Sequence, residues 1–361
     1  MSRILILSDD SFSLWQFRRE LIATMIGSEM EVTIATVPGS HIQDLQGLGC
    51  KFIEIPVDTK AGEVQQYRSF LSQYQAILKS EQPDIVITYG TRPTICGGLA
   101  CKKQKITHCA QIQGLCTLTR KTLRSAVAMI AYRSALKSAK VVFFENGSHA
   151  ALFRDKKIVT EAQQMILPGA GVNLQHHTCQ PYPANDPIRF LYLGRLKQEK
   201  GTDELLSAIK MLYDDCYEVR LDLVGDCDDN YKEQLEELKS MGIAAIHGFQ
   251  QDPRPYYTAC DCVIMPSHSE GMSNVLLEAA ATGRPVIASY IPGCREAIEE
   301  ARTGFAFRTQ DKYALYETMA RFARMPREQR EEMGLAGRRL MEESFDRQTV
   351  VDETMHAIFR P

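Results

Sequence analysis

Short apolar runs rich in β-branched residues alternate along this chain with longer segments of helical period, and few folds accommodate that rhythm. Ile4–Leu7, Glu31–Thr36, Ile85–Thr88 and Val141–Phe144 read as strands of a first α/β unit, with Phe190–Leu193, Arg220–Val224, Ala244–His247, Val263–Met265 and Val286–Ala288 as those of a second. Runs this apolar are buried on both faces, which predicts parallel sheets covered by helices. The rhythm breaks between His176 and Pro187, where Pro181, Pro183 and Pro187 stand in a polar setting that reads as a linker. The expected architecture is two Rossmann-like domains, 1–180 and 181–345, facing each other across a cleft where open α/β sheets bind ligands. Neither half carries a G-x-G-x-x-G directly after a strand, nor a Walker loop, so dinucleotide and P-loop readings lose support.

With 44% apolar residues the chain can bury two sizeable cores, but no run approaches the roughly 20 apolar residues that span a bilayer. Met1–Leu7 lacks the basic region of a signal peptide, and the expected location is the cytosol. The eleven cysteines include Cys96, Cys109 and Cys260 in apolar contexts and form no zinc-like spacing; they read as buried thiols. The net charge of −3 hides an asymmetry. Residues 1–180 hold 20 Lys+Arg against 14 Asp+Glu, and residues 181–361 hold 22 against 31. Between Ile85 and Phe144 there is no Asp or Glu, while Arg92, Lys102, Lys103, Lys105, Arg120, Lys121, Arg124, Arg133, Lys137 and Lys140 are all basic. That field suits nucleic acid, anionic lipid or a phosphorylated substrate.

Two segments carry chemistry. From Met265 a strand ends at Pro266, a polar loop follows, and a helix is predicted from Ser273 or Asn274 to Gly283. Glu270 sits in the loop, Glu278 lies one turn beyond Asn274, and the amides of Met272, Ser273 and Asn274 are expected to form an anion-binding helix terminus. Two carboxylates beside such a terminus suit a ligand with sugar hydroxyls on both sides of a diphosphate. The second segment, Leu191 to Glu204, also runs from a strand through a Gly turn into a helix. There Arg195 and Lys200 can converge on one diphosphate, Arg as a fork and Lys as a point charge.

Together these segments resemble the retaining family 4 glycosyltransferases of the GT-B architecture. Gly194-Arg195-Leu196 with Glu199-Lys200-Gly201 matches the family's G-R-L-x-x-E-K-G, and Glu270 with Glu278 matches its E-x7-E element. Pro168–Asn173, Val224-Gly225-Asp226, Gly248-Phe249 and Ile291–Glu296 are similar too, and in the first half Thr88–Pro93 and Gln113-Gly114-Leu115 resemble segments of bacterial polysaccharide and lipid-linked-oligosaccharide transferases. The resemblance implies a nucleotide diphosphate sugar, UDP-linked, held by the second domain, and a glycan or polyprenyl-diphosphate-linked acceptor approached from the first. It further implies transfer with retention and without a metal or other cofactor: Arg195, Lys200 and the helix amides stabilise the leaving diphosphate, and Glu270 holds the donor sugar. Glu278 would take the ribose, with Gly194, Gly225, Phe249, Gly271, Met272, Ser273 and Asn274 lining the donor. Residues 346–361 would form a terminal helix returning to the first domain.

The sequence departs from the family where Ser8–Trp15 replaces a Gly-Gly turn and where Cys116 follows Gly114-Leu115. On the acceptor side the candidates are Trp15, Arg92, Gln113 and Gly114, and His108 or Gln113 stands where some relatives use a His. Asp226-Cys-Asp228-Asp229 offers a rival divalent-metal reading, against an acidic turn that opens a Tyr231–Met241 helix. A 2-epimerase on the same architecture and a non-catalytic nucleotide-sugar sensor are the alternatives. His176-His177 reads as a surface linker. Leu123–Leu136, apolar and edged by basic residues, reads either as a core helix or as one lying on an anionic membrane, the latter placing the protein peripherally on the inner face with no nucleic-acid partner.

Overall fold

A computed structural model describes residues 1–114 and 122–360; Leu115, Cys116, Arg120 and Lys121 lie outside the described residues, as do the side chains of Leu123 and Arg124. Two parallel sheets organise the chain. The first has seven strands: β1 (Arg3–Ser8), β2 (Glu31–Thr36), β3 (Lys51–Glu54), β4 (Ile85–Tyr89), β5 (Thr107–Ile112), β6 (Val141–Phe144) and β7 (Gln164–Ile166). Their order is β3-β2-β1-β4-β5-β6-β7. The second has six: β8 (Ile188–Leu193), β9 (Val219–Val224), β10 (Ala244–Gly248), β11 (Cys262–Met265), β12 (Val286–Ser289) and β13 (Gly304–Phe307), in the order β10-β9-β8-β11-β12-β13. In each sheet the path runs outward in one direction and then, across the first strand, in the other. Both are doubly wound.

Central strands such as Ile4–Leu7 and Val263–Met265 are buried along their whole length, because helices cover both sides. Sequence patterning misses β3, β5, β7 and β13. Three of these are edge strands, and β5 places polar His108 and Gln111 at buried positions. His108 is accommodated there by a 3.0 Å contact between its Nε2 and Thr88 Oγ1.

The chain divides into two compact units, Met1–Ala170 with Gln348–Pro361, and Gly171–Arg347. The Pro-rich stretch read as a linker therefore lies within the second unit and is fastened to it. The Tyr182 hydroxyl donates to Asp261 O at 2.8 Å. The fully buried Arg284 donates to the carbonyls of Gln180 and Pro181 at 3.1 and 2.8 Å. Past Phe345 the chain bonds to Val172, whose amide donates to Phe345 O at 2.8 Å, and the Arg347–Phe359 helix then joins the first unit. Its Val350, Val351 and Ile358 pack in one cluster with Ile4, Ile6, Leu14 and Leu21.

Candidate functional site

In a doubly wound sheet the loops after the two strands flanking the reversal diverge, and the crevice between them takes ligands. In the second unit those strands are β8 and β11, so the loops concerned are Gly194–Gly201 and Pro266–Ser273. They carry the two motifs singled out from the sequence and bring two of their residues together. Lys200 Nζ donates to Glu270 Oε1 at 2.5 Å, with both side chains partly accessible.

Backbone proximity holds this pair in place. Gly201 turns into the Thr202–Asp214 helix at φ +73°, and a Cβ there would lie 2.1 Å from Pro266 O. Only glycine permits both the conformation and the approach. On the far side a Cβ on Gly293, at φ +87°, would lie 2.4 Å from Gly271 O, while Glu296 Oε2 accepts from the Gly293 amide at 2.6 Å. His268 ties the same loop to the first: its amide donates to Glu199 O at 3.0 Å, and its Nε2 lies 3.0 Å from Glu204 Oε1.

The Asn274–Ala281 helix starts where the sequence placed it, but its terminus is less open than expected. The Ser273 amide donates to Gly293 O at 2.8 Å, which leaves the amides of Met272 and Asn274 among the three proposed for an anion. Asn274 Oδ1 is buried without a hydrogen-bond partner. The Met272 side chain belongs to the core, so only its backbone can serve a ligand. Glu278 is buried, with Oε2 accepting from the Tyr257 hydroxyl at 2.9 Å and Oε1 4.0 Å from His177 Nε2. Desolvation pushes its carboxyl up to about 7, against the Tyr257 hydrogen bond, which favours the ionised form. His177 is thus interior, not on a surface linker; burial drives its ring down to about 3, keeping it neutral.

Other donor-side candidates are more dispersed. Arg195 is exposed; its carbonyl accepts from the Tyr192 hydroxyl at 2.8 Å, and its guanidinium forms no ion pair with a described residue. Gly194 and Gly225 lie together, since a Cβ on Gly225 would meet Gly194 O at 2.1 Å, and the Gly225 amide donates to Gly248 O. Phe249 next to that turn is 58% exposed. In the acidic segment Asp229 pairs with Lys232 at 2.7 Å on a surface turn that opens the Lys232–Ser240 helix. Among the described residues no group of three or more His, Cys, Asp or Glu side chains is gathered as a metal would require.

The first unit has a corresponding crevice between β1 and β4. A cavity of about 130 Å³ is lined there by Ser8, Asp9, Asp10, Ser13, Leu14, Arg18, Tyr89, Gly90 and Gln113. Asp9 Oδ1 lies 3.3 Å from Arg92 Nε without making a hydrogen bond. Desolvation raises the Asp9 carboxyl to about 6, against the pull of Arg92. Of the two residues left open as the first-unit polar group, Gln113 lines this cavity and His108 is buried in the sheet. Trp15 stacks on His41 at 5.8 Å outside it, and Gly114 is exposed at the end of the described segment.

The comparisons with known proteins agree with this pairing of sheets. The family described as "Glycosyl transferase 4-like" matches residues 3–146, and "Glycosyl transferases group 1" matches residues 187–324. The chain belongs to the GT-B glycosyltransferases. Its relatives include the N,N'-diacetylbacillosaminyl-diphospho-undecaprenol alpha-1,3-N-acetylgalactosaminyltransferase of Campylobacter jejuni, 25% identical over 88% of each chain. The capsular polysaccharide biosynthesis glycosyltransferase CapM of Staphylococcus aureus is 28% identical over 47% of this chain and 45% of its own. Among solved structures, HepE of Anabaena in complex with UDP and glucose superposes with a TM-score of 0.81 over 100% of both chains at 15% identity. A glycosyltransferase from Rickettsia africae gives 0.80 over 99% of both at 20%.

Several residues of this glycosyltransferase that shape the site were not legible in its sequence. Tyr257 and His177 close on Glu278, and Glu204 and His268 join the two loops. In the first unit Asp9 and Arg18 line the cavity. The only advance signal was position, since Asp9 directly follows β1 and His268 lies two residues before Glu270.

Proposed function

We propose that this glycosyltransferase moves a hexose-type sugar, with retention and without a metal, from a UDP-linked donor to a glycan or polyprenyl-diphosphate-linked acceptor in cell-surface polysaccharide synthesis. The observation that carries this reading is the Lys200–Glu270 pair at the ligand-binding edge of the second sheet. Lys200, with Arg195 reaching in from solvent, neutralises the diphosphate as it leaves, and the amides of Met272 and Asn274 add their dipoles. Glu270 holds the donor sugar. Glu278, backed by Tyr257, receives the ribose hydroxyls; Phe249 and the Gly194–Gly225 contact border the base. Retention follows when the acceptor arrives on the face the diphosphate leaves, with a phosphate oxygen taking the proton.

The acceptor class draws support from the Campylobacter relative, named for a diphospho-undecaprenol substrate and matched along most of both chains, and the donor base from the HepE complexes with UDP. The basic field of the first unit supports work at an anionic membrane surface. No helix among the described residues is long and apolar enough to cross a membrane. The Leu123–Leu136 helix buries Tyr132, Ala135 and Leu136 and exposes Val127 and Ile130, with Lys102, Lys103 and Lys105 exposed nearby in sequence. An apolar ridge edged by lysines suits interfacial adsorption.

Thermal melting with UDP, GDP and ADP in EDTA tests the donor assignment. UDP at 100 times its dissociation constant adds about 2.7 kcal/mol of stability. A larger shift with another nucleotide, or a shift that requires Mn²⁺, overturns the UDP or the metal-free part respectively.

A further inference from the structure

His268 stands two residues before Glu270 in the loop after β11, and three separate segments hold it. Its amide donates to Glu199 O at 3.0 Å, beside Lys200. Its Nε2 lies 3.0 Å from Oε1 of Glu204 on the Thr202–Asp214 helix, and its Nδ1 lies 3.2 Å from Nε2 of Gln310 in the loop after β13. Both ring nitrogens are therefore engaged. A carboxylate only accepts and an amide nitrogen only donates, so the tautomer with its hydrogen on Nε2 satisfies both contacts at once.

The two partners are themselves committed to this ring. The Glu204 side chain is only 14% exposed and its Oε2 is buried without a hydrogen bond, so the imidazole supplies what its carboxyl group has among the described residues. Gln310 is exposed but takes a left-handed backbone at φ +59°, a conformation unfavourable to any residue with a Cβ and kept where neighbours impose it. The glycine contacts at Pro266 and Gly271 set how closely the backbones approach at the two ends of the Glu270 loop. Between those ends the bond to Glu199 alone would act as a pivot, about which Glu270 could swing away from Lys200. Contacts at both ring nitrogens add two anchors on different segments, and three anchors define an orientation.

We infer that His268 is a positioning residue for recognition of the donor sugar: braced between Glu204 and Gln310, it fixes the Glu270 carboxylate where the sugar of a nucleotide sugar arrives, and it leaves the grip on the diphosphate to Lys200. The inference rests on the roles proposed above for Glu270 and Lys200. Because His268 acts through Glu270, its loss separates two affinities that a general weakening of the fold would lower together: that for the nucleotide diphosphate and that for the same nucleotide carrying a sugar.

Isothermal titration of the full chain with UDP, UDP-glucose, UDP-galactose, UDP-N-acetylglucosamine and UDP-N-acetylgalactosamine tests it. For a UDP-sugar that the wild type binds, His268→Leu should weaken binding about fivefold or more while UDP affinity stays within about twofold. His268→Gln, whose amide offers both a donor and an acceptor, should return the sugar affinity to within about twofold of wild type. Glu204→Leu should reproduce the loss, and combining it with His268→Leu should add little, since both break one contact. Gln310 is exposed, so Gln310→Gly suits its backbone, spares the core and should show the same split at about twofold. UDP and UDP-sugar affinities that fall together, or that do not change in His268→Leu and Gln310→Gly, overturn the positioning role. Glu270→Gln separates the inference from the reading beneath it. Sugar affinity lost in Glu270→Gln but not in His268→Leu overturns the inference alone; sugar affinity unmoved in Glu270→Gln, or no UDP-sugar bound by the wild type, overturns that reading and the inference with it.

Discussion

The two sheets share one winding scheme but finish differently at their reversals. At the edge of the second, Lys200 and Glu270 already hold each other at 2.5 Å, and glycines pressed against carbonyls keep their loops in register. At the edge of the first, Asp9 pairs more loosely with Arg92, at 3.3 Å, and Arg18 with Glu145, at 3.8 Å, beside a cavity of about 130 Å³. A site that satisfies itself can present the same geometry to one invariant ligand part, such as a diphosphate. A site bordered by a cavity can be re-specified by a few side chains without disturbing the sheet, which fits the acceptor role proposed for the first unit.

The strongest test of that contrast removes the self-satisfied pair. Lys200→Ala and Glu270→Gln should each lower turnover by about 10²–10³-fold with little change in melting temperature, and the double variant should lose much less than the product. Initial rates at saturating donor check this; multiplicative losses would show two independent residues. Next, Gly201→Ala should destabilise the protein by about 3 kcal/mol or more, since the left-handed backbone and Pro266 O both oppose a Cβ. Gly114→Ala in the first unit, where an added Cβ meets nothing among the described residues, should shift stability by less than about 0.5 kcal/mol in a denaturant titration.

Glu278 yields a pH signature. Its carboxyl rests at about 7 in the folded chain against an ordinary 4.5. Between those values the folded protein keeps a proton that the unfolded chain has released, so stability falls as pH rises from 4.5 toward 7. Glu278→Gln, which still accepts from Tyr257, should remove about 2–3 kcal/mol of that decline, read as a flatter plot of melting temperature against pH. The smallest effect concerns the membrane. Replacing Lys102, Lys103 and Lys105 with Gln should weaken co-sedimentation with phosphatidylglycerol vesicles by about 1 kcal/mol per lysine engaged, and salt should weaken the wild type likewise. Equal binding to phosphatidylcholine vesicles would remove the electrostatic account.

Contiguity decided what the sequence could reveal. Central strands announce themselves because burial on both faces demands unbroken apolar runs, and the two loop motifs do so because Gly201, Lys200, Glu270 and Gly271 are constrained by one local backbone geometry. Edge strands such as Lys51–Glu54 and the polar-containing β5 carry no such pattern. Contacts that join residues far apart in the chain are silent in principle: nothing in Tyr257 or His177 foretells their meeting at Glu278, and Arg18 shows only helical spacing until the fold places it beside Glu145. Prolines mislead for a related reason. Pro181 and Pro183 suit a free linker, but Arg284, a hundred residues later, collects the neighbouring carbonyls and fixes the stretch to the second unit.

The Arg347–Phe359 helix orders the molecule's assembly in time. Ile4 and Ile6 are made about 350 residues before Ile358, with which they share one core cluster. At 5–20 residues per second, roughly ten to forty seconds pass between the end of the first unit's main segment and its closing helix. During that interval the second unit, whose segment is continuous from Gly171 to Arg347, can fold unaided while the first waits with an apolar groove uncovered. The nascent chain is therefore most exposed to aggregation and chaperone capture in its first unit.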